Sequence, residues 1–370
     1  MAHAWVAGKA AALDTAIAEA AKLLAASRHP LIAGLGTDVA GARAAIALAK
    51  RTGAVIDHMN SEALFRELDV MRSSGVMLTT PLEVRVRADT LLLAGPELGE
   101  MPELRQRLFE GPRQTGADIG VERRIFWLCP GRAVADPRFG GTTAEIIGKE
   151  RSDLPALLAT LRARIAGRPI GRARVSSSTL DRVAAALKAA RFGVAIWSPA
   201  ALDALTIEML CGMVDDLNAT TRFTGLSLCP ADNAVGVLQT CGWTTGLPMR
   251  TGFGRGFPEH DPWLSDSRRL VESRETDCVV WISAYRAAAP EWREAPSTIA
   301  LTGRDASFPV SPLVHIEVGR PGVDHPGVQH LPLTGTLTAI EATQPSDTIS
   351  VAGAIARIAS ALPGVGERPC

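Results

Sequence analysis

The stretch Pro30-Leu31-Ile32-Ala33-Gly34-Leu35-Gly36 decides the fold class, because an apolar run that ends in glycines is typical of a buried strand entering a tight turn. The Ala/Leu-rich segment 14–26 before it and the segment 40–51 after it have apolar residues at helical spacing. Gly53 stands where a helix C-cap is expected, and residues 54–57 predict the next strand. Together these segments predict a β-α-β unit.

The same pattern starts again after a Gly/Arg/Ser-rich segment at 167–178, which has the composition of a linker. Residues 183–197 predict a helix running into a buried strand, as the segment before and after Pro30 does. An aspartate directly precedes an apolar run both at Asp89 and at Asp277. We therefore predict an α/β fold of two similar Rossmann-like lobes with mostly parallel sheets.

The linker suggests where the two lobes divide. We expect residues 1–168 to form the first lobe, together with residues 333–370. A helix predicted at 350–362 would then return to the first lobe, since a helix needs an apolar surface on which to bury one face. Residues 169–332 are expected to form the second lobe.

Composition excludes several classes of protein. Lys plus Arg and Asp plus Glu both number 39, so the net charge is zero, and we expect neither nucleic acid nor an anionic membrane as a partner. No apolar run approaches the ~18 residues of a membrane span, and the N-terminus shows no signal-peptide pattern. The six cysteines form no C-x-x-C pair, which argues against a disulfide framework or a metal knuckle and indicates a cytoplasmic protein.

The glycine turn at Gly34 and Gly36 is the most nucleotide-like feature of the chain. Bare backbone N–H groups between a strand and a helix can hold a phosphate. The motif is not a complete G-x-G-x-x-G, however, and Asp38 places a negative charge where the phosphate would lie. We favour the alternative of a tight turn in which Thr37 or Asp38 caps the next helix.

Residues 240–266 form the densest polar and glycine-rich region, with Arg250, Arg255 and His260 among its members. Arginines among glycines can bind a carboxylate or phosphate through two N–H groups. An equally good interpretation is a loop packed at a subunit interface, with its arginines paired to nearby acids. His58, at a strand end, lacks further ligands at metal-binding spacing, so neither a metal site nor a catalytic residue is predicted.

An ordered set of segments gives the chain a family resemblance. It resembles the B subunits of formylmethanofuran dehydrogenases, in the molybdopterin oxidoreductase superfamily, and more closely the B subunits of the formyltransferase/hydrolase complexes of methylotrophic bacteria. The segments that carry the resemblance are 30–36, 53–57, 87–95, 216–223 and, most strongly, 246–258. The resemblance implies two lobes of the molybdopterin-oxidoreductase type, with Gly34, Gly36, Arg250, Arg255 and His260 as the remains of a cofactor cleft.

The chain differs from the dehydrogenases at the positions that bind the iron–sulfur cluster, the metal and the pterin cofactor. It has no cysteine before Cys129, whereas the family begins with a segment that binds an iron–sulfur cluster. Residues 58–65 hold no thiolate or selenolate where the family has its metal ligand, and Pro96-Glu97 replaces an Asn-Pro that contacts the cofactor. A carboxylate at Glu97 would face pterin phosphates, which costs several kcal/mol if the charge is buried unpaired.

The resemblance therefore implies a structural subunit that catalyses no step and binds no cofactor of its own. The complex would move formyl from tetrahydromethanopterin to a methanofuran-type carrier and release formate. Its implied partners are a zinc amidohydrolase-like A subunit, a formyltransferase D subunit, a C subunit and the polyglutamylated carrier. Two alternatives stay open: a working dehydrogenase subunit whose Mo/W pterin relies on a cluster domain from another chain, and an independent nucleotide-binding enzyme.

Overall fold

The computed structural model describes residues 3–95, 108, 123–131, 137–139, 141–171, 173–228, 230–292 and 296–363. The chain forms two compact units, each built on a sheet of its own. The first unit comprises Met1–Ser61, Ala231–His330 and Leu337–Cys370, and the second comprises Glu62–Pro230 and Leu331–Thr336.

Strands and helices alternate through most of the described chain, as the sequence predicts. The strands are β1 (Ala4–Val6), β2 (Lys9–Ala10), β3 (Pro30–Gly36), β4 (Val55–Ile56), β5 (Thr90–Ala94), β6 (Arg124–Leu128), β7 (Arg138–Phe139), β8 (Thr142–Thr143), β9 (Glu145–Ile147), β10 (Gly193–Trp197), β11 (Phe223–Ser227), β12 (Thr251–Gly252), β13 (Glu259–His260), β14 (Cys278–Ser283), β15 (Ser297–Thr302), β16 (Val314–Glu317), β17 (Gly327–Leu331) and β18 (Thr336–Ile340). The helices are α1 (Leu13–Ala26), α2 (Val39–Thr52), α3 (Ser61–Ser74), α4 (Pro81–Arg87), α5 (Leu154–Ile165), α6 (Ser177–Lys188), α7 (Ala204–Asn218), α8 (Ala234–Thr245), α9 (Ser267–Glu272) and α10 (Val351–Ala361).

The sheet of the first unit has the strand order β13-β12-β4-β3-β14-β15-β16-β1-β2. Its five central strands are parallel, and the strands outside them are antiparallel to their neighbours. Helix α10 packs against both α1 and α2, and α8 packs against α2. These contacts bury the apolar face of α10, which includes Ala354, Ile355 and Ile358.

The sheet of the second unit is parallel throughout its described strands, in the order β11-β10-β5-β6-β9. Successive residues of β5 enter different cores, because side chains of a strand alternate between the two faces. Leu92 packs with apolar residues of α5, α6 and α7, whereas Leu91 and Leu93 pack with Val84 of α4 on the other face. Burial on both faces explains the continuous apolar runs that predict these strands.

The predicted fold class is confirmed, and so is the β-α-β unit around Pro30. Gly53 follows α2 with φ +74°, a left-handed conformation that glycine adopts without steric cost, and its N–H closes the helix on Ala49 O. No helix in the described part of the chain has the length and apolar character that crossing a membrane requires.

The two compact units do not follow the predicted ranges 1–168 plus 333–370 and 169–332, because the two halves of the sequence exchange strands. In the first unit, β3 from the N-terminal half pairs with β14 from the C-terminal half. In the second unit, β5 from the N-terminal half pairs with β10 from the C-terminal half. The physical reason is that strands of one parallel sheet need not be adjacent in sequence, so a linker-like composition does not locate a domain boundary.

The two aspartates that precede apolar runs have the same structural role in the two units. Asp277 accepts hydrogen bonds from Arg28 N and His29 N, in the loop that enters β3. Asp89 accepts them from Arg191 N and Phe192 N, in the loop that enters β10. In each unit the aspartate before one parallel strand therefore fixes the start of its neighbour, which supports the similarity of the two halves.

Candidate functional site

The parallel strands of the first unit end at a common edge, and ligands of open α/β sheets bind outside the carboxyl ends of the strands. Polar residues follow each of these strands at this edge. They are Thr37 and Asp38 after β3, Asp57 and His58 after β4, Tyr285 and Arg286 after β14, Arg304 after β15, and Glu317 and Arg320 at the end of β16. This edge is the candidate functional site.

Gly34 and Gly36 lie within β3, and the expected glycine turn is a β-bulge. Ala33 pairs with Trp281 and Gly36 with Ser283, so one extra residue of β3 is accommodated opposite Ile282. Gly34 has φ +80°, and a Cβ at this position would lie 2.5 Å from the carbonyl oxygen of Ile282. The glycine is therefore required by the close approach of two central strands.

The N-terminus of α2 is closed by Asp38, which confirms the cap interpretation. Its Oδ1 accepts a hydrogen bond of 2.9 Å from Gly41 N, and the residue is only 4% exposed. The carbonyl oxygen of Thr37 accepts a hydrogen bond from Asn233 Nδ2. A buried carboxylate thus lies where a phosphate would have to bind, so the geometry argues against a nucleotide phosphate at this helix.

His58 occupies the end of β4 as a buried, hydrogen-bonded, neutral side chain. Its Nδ1 accepts from Asn60 N at 2.9 Å, which leaves the proton on Nε2 to donate to Asp232 O at 3.1 Å. Burial lowers the pKa of His58 from 6.5 to about 4, although the hydrogen bond to Asp232 acts in the opposite direction. At neutral pH the His58 imidazole is therefore uncharged, and both of its ring nitrogens take part in hydrogen bonds within the protein.

We expect this histidine to make the protein less stable as the pH falls. Between the folded pKa of about 4 and the unfolded value of 6.5, the unfolded state binds more protons, so acidification favours unfolding. The expected loss is about 2 kcal/mol on going from neutral pH to about pH 4.5. Urea unfolding at stepped pH measures it, and His58→Asn should remove this part of the slope. An unchanged slope in the variant would contradict the assignment.

The space beside Gly36 is filled by protein side chains. A Cβ on Gly36 would lie 3.2 Å from the Met59 terminal methyl and 3.4 Å from Asp232 Cβ. The Asp232 carboxylate is buried and bonded by Arg286 through both Nε and Nη2. The end of β3 thus faces an apolar methyl and an ion pair.

Arg250 lies in the interior of the first unit, where it serves two protein carboxylates. Its Nη2 lies 2.5 Å from Asp266 Oδ2 and its Nε lies 3.7 Å from Asp57 Oδ1. Nη1 donates to Pro262 O at 2.8 Å. Burial raises the pKa of Asp57, and the Arg250 charge lowers it. The expectation that Arg250 contacts an external anion is therefore corrected, because its guanidinium is held by internal acceptors.

Arg255 and His260 lie on the hairpin formed by β12 and β13. The Arg255 side chain is 73% exposed, with Nη1 3.0 Å from Glu259 Oε1 and the guanidinium 5.3 Å from the centroid of the Phe257 ring. His260 Nδ1 lies 3.0 Å from Arg250 O, and its residue pairs with Thr251 across the hairpin. The surface arginine is thus open to solvent, whereas the histidine supports the hairpin.

The residues that the structure describes do not fit a molybdenum or tungsten pterin. They contain no group of three or more His, Cys, Asp or Glu side chains that could hold a metal. Burial raises the pKa of the Cys129 and Cys211 thiols to about 11 and that of Cys241 and Cys278 to about 12, so these cysteines are protonated. The stretch 58–65, where the metal ligand is expected, begins with neutral His58 and contains no cysteine. Pro96 and Glu97 lie outside the described residues.

Sequence reasoning missed the arginines and the tyrosine that follow β14, β15 and β16. They line a polar cavity of about 300 Å³ at the carboxyl ends of these strands. Tyr285, Arg286, Arg304 and Arg320 come from three separate segments of the chain, so no local motif marks them. A usable signal did exist, since Tyr285 is the only tyrosine in the sequence and directly follows a predicted strand.

Comparisons with known proteins agree with the resemblance. No family model matches the chain. Over 366 residues it is 34% identical to the B subunit of the formyltransferase/hydrolase complex Fhc of Methylorubrum extorquens, covering 97% of this chain and 98% of that protein. A crystal structure of the FhcABCD complex from that organism with methylofuran contains a chain that matches with a TM-score of 0.86, at 34% identity over 96% of this chain and 98% of that one.

A more distant relative is the B subunit of a tungsten-containing formylmethanofuran dehydrogenase of Methanocaldococcus jannaschii. It is 28% identical over 283 residues, which are 73% of this chain and 64% of that protein. The match to the Fhc protein is higher in identity and extends along nearly the whole of both chains. This chain belongs to the family of the B subunits of formyltransferase/hydrolase complexes, which is related to the B subunits of formylmethanofuran dehydrogenases.

Proposed function

We propose that this chain is a non-catalytic, structural subunit of a cytoplasmic formyltransferase/hydrolase complex. The observation that carries the proposal is the 34% identity over 97% of the chain to a subunit of such a complex. The complex moves formyl from tetrahydromethanopterin to a methanofuran-type carrier and releases formate. The chemistry belongs to a zinc amidohydrolase-like A subunit and a formyltransferase D subunit, with a C subunit completing the assembly.

The arrangement at the carboxyl edge of the first unit supports a structural task. A redox enzyme of this superfamily depends on its cofactor for the electron transfer. Here a helix N-terminus is capped by buried Asp38, and the end of β4 is held by a neutral His58. Each of these side chains is hydrogen-bonded to backbone groups of the chain itself, which supports a rigid edge with a structural task.

Exposed apolar side chains in the segment 240–266 support contact with another subunit. Trp243, Phe257 and Trp263 are 56%, 51% and 69% exposed. Large exposed aromatic residues are enriched at protein interfaces and costly to leave in water. We propose that this segment faces a neighbouring subunit, and that the chain expressed alone is poorly soluble. Arg255, on the same segment and open to solvent, stays a predicted contact for a polyglutamylated carrier.

Purification of the tagged chain from its native cell tests the proposal. We expect the A, C and D subunits to co-purify, with zinc present and with molybdenum and tungsten far below one atom per chain. Metal content is measured by mass spectrometry on the same sample that is used to identify the proteins. Stoichiometric molybdenum or tungsten would overturn the proposal, and so would a monomeric chain that carries a tightly bound nucleotide.

A surface variant tests whether the segment 240–266 contacts a partner subunit. Trp263→Ala removes an exposed side chain and should reduce co-purification of partners without unfolding the chain. Arg268→Ala, on the exposed face of α9 with its side chain 78% exposed, is the matched control and should assemble normally. Equal recovery of partners with both variants would show that Trp263 contributes nothing to their contact with the segment 240–266.

A further inference from the structure

The polar cavity at the ends of β14, β15 and β16, which we call the arginine cavity, is lined by charged side chains that follow three parallel strands. One arginine follows each of the three strands: Arg286, Arg304 and Arg320. The rest of its wall includes Tyr285, Glu317 and Asp324. Its volume of about 300 Å³ lies at the lower end of the range for small-molecule sites, and its position is the one that open α/β sheets use for ligands.

The carboxylates in and beneath this wall have protein partners of their own. Glu317 is bonded by Arg304 Nε at 3.0 Å and lies 3.4 Å from His3 Nδ1. Asp324 accepts from the backbone N–H of Arg320 and from Ser346 Oγ. Because Arg304 is fixed through Nε and Arg320 is exposed, both can present terminal N–H groups to a ligand, in the fork geometry that matches an oxyanion.

Tyr285 lines the same cavity and carries a neutral hydroxyl beneath its surface. Its hydroxyl oxygen is buried, and no described residue forms a hydrogen bond with it. Burial raises the pKa of Tyr285, as do the nearby carboxylates of Asp38 and Asp232, while Arg320 lowers it, so the phenol keeps its proton. A buried donor without a partner costs free energy unless a ligand or water satisfies it.

A second, larger cavity of about 900 Å³ adjoins the arginine cavity and shares Gly303, Arg304 and Glu317 with it. Its wall is partly aromatic. Trp5 stacks on the His315 ring with centroids 4.9 Å apart, and Phe308 meets the same His315 ring edge-on at 5.2 Å. His315 is held by Thr302 Oγ1, and burial lowers its pKa. A space with a partly aromatic wall therefore continues from the charged one.

We propose that the two cavities together bind a small molecule with a flat apolar body and a terminal oxyanion, either a carboxylate or a phosphate. The oxyanion lies in the arginine cavity, bonded by Arg320, Arg304 and the Tyr285 hydroxyl. The apolar body lies against Trp5 and Phe308. This site does not depend on the proposed subunit role, so either proposal can fail without the other.

Calorimetric titration of the protein as it is purified from its native cell, alone or with partners, tests the site at low salt with four probes. Inorganic phosphate and succinate carry the oxyanion alone, whereas phenyl phosphate and benzoate add a ring. We expect saturable binding with one site per chain and tighter binding of the ring-bearing probes. Comparison of the phosphate pair with the carboxylate pair identifies which oxyanion the site prefers.

Three variants assign the contacts. Arg320→Gln should weaken binding of each bound probe about tenfold or more, and Tyr285→Phe about tenfold, since each removes a donor to a charged group. Phe308→Ala should weaken only the ring-bearing probes. Arg268→Gln, at an arginine on α9 whose side chain is 78% exposed, is the matched control and should bind as the wild type does.

The outcomes are distinct. Absence of saturable binding for all four probes would overturn the proposal. So would equal affinity in the wild type and in Arg320→Gln, because binding would then lie elsewhere. If Phe308→Ala leaves all affinities unchanged while Arg320→Gln lowers them, the oxyanion part stands and the proposed place of the apolar body is wrong.

Discussion

Replacing Arg250 with methionine is expected to destabilise the first unit by about 4 kcal/mol, because it leaves a buried carboxylate without its compensating charge. Asp57 is 2% exposed, and its Oδ1 lies 3.7 Å from Arg250 Nε. Urea unfolding followed by tryptophan fluorescence measures the loss. Arg255→Met is the matched control: its arginine is 73% exposed and makes a surface ion pair, so the expected change is below about 0.5 kcal/mol.

The loss of stability caused by Arg250→Met should become smaller as the pH falls. Burial already raises the pKa of Asp57, and loss of Arg250, which lowers it, raises it further. A raised folded-state pKa contributes stability that is fully present below the unfolded value and is lost as the pH rises through the folded value. The variant should therefore lie closer to the wild type at about pH 5 than at neutral pH. Adding Asp57→Asn to Arg250→Met should recover part of the lost stability. If the effects of the two substitutions on the free energy of unfolding simply added, this account would be contradicted.

Replacing Gly34 with alanine is expected to cost about 3 kcal/mol. A left-handed φ is unfavourable for alanine by about 1 kcal/mol. The added Cβ would also lie 2.5 Å from the Ile282 carbonyl oxygen, which forces the two central strands apart at a further cost of about 1–3 kcal/mol. The midpoint of urea unfolding should fall accordingly.

Gly242 provides the matched glycine for this test. It lies in α8, is exposed, and a Cβ there would meet nothing within 4 Å. Gly242→Ala should be neutral or should stabilise the helix by up to about 1 kcal/mol. A loss in Gly242→Ala as large as that in Gly34→Ala would contradict the assignment of the Gly34 effect to its left-handed φ and to the close approach of β3 and β14.

Local patterns predicted the elements of this fold well. The apolar run at 30–36 and the glycine at Gly53 located β3, α2 and the helix end because each depends on nearby residues only. The same holds for β5 and β6, whose apolar runs are continuous because both faces of the parallel sheet are buried.

Features that depend on distant residues were not predictable in the same way. The glycines of β3 suggested a turn, but their conformation is set by Ile282, which lies on a strand from the other half of the sequence. Arg250 suggested an anion contact; its guanidinium is bonded by nearby Asp266, but the second carboxylate that faces it, buried Asp57, is far away in sequence. The arginine cavity was missed for the same reason, since its members follow three different strands.

The exchange of strands between the two halves also has a consequence for synthesis on the ribosome. Every described strand of the second unit's sheet lies between β5 and β11, so that sheet can close once Ser227 has emerged. The N-terminal strand β3 can pair with β14 only after the segment that begins at Cys278 has been synthesised. The central strands of the first unit's sheet therefore pair later. The nascent chain therefore completes its middle segment first, while its apolar N-terminal segment remains without its β14 partner and depends on chaperones or early helix contacts for protection.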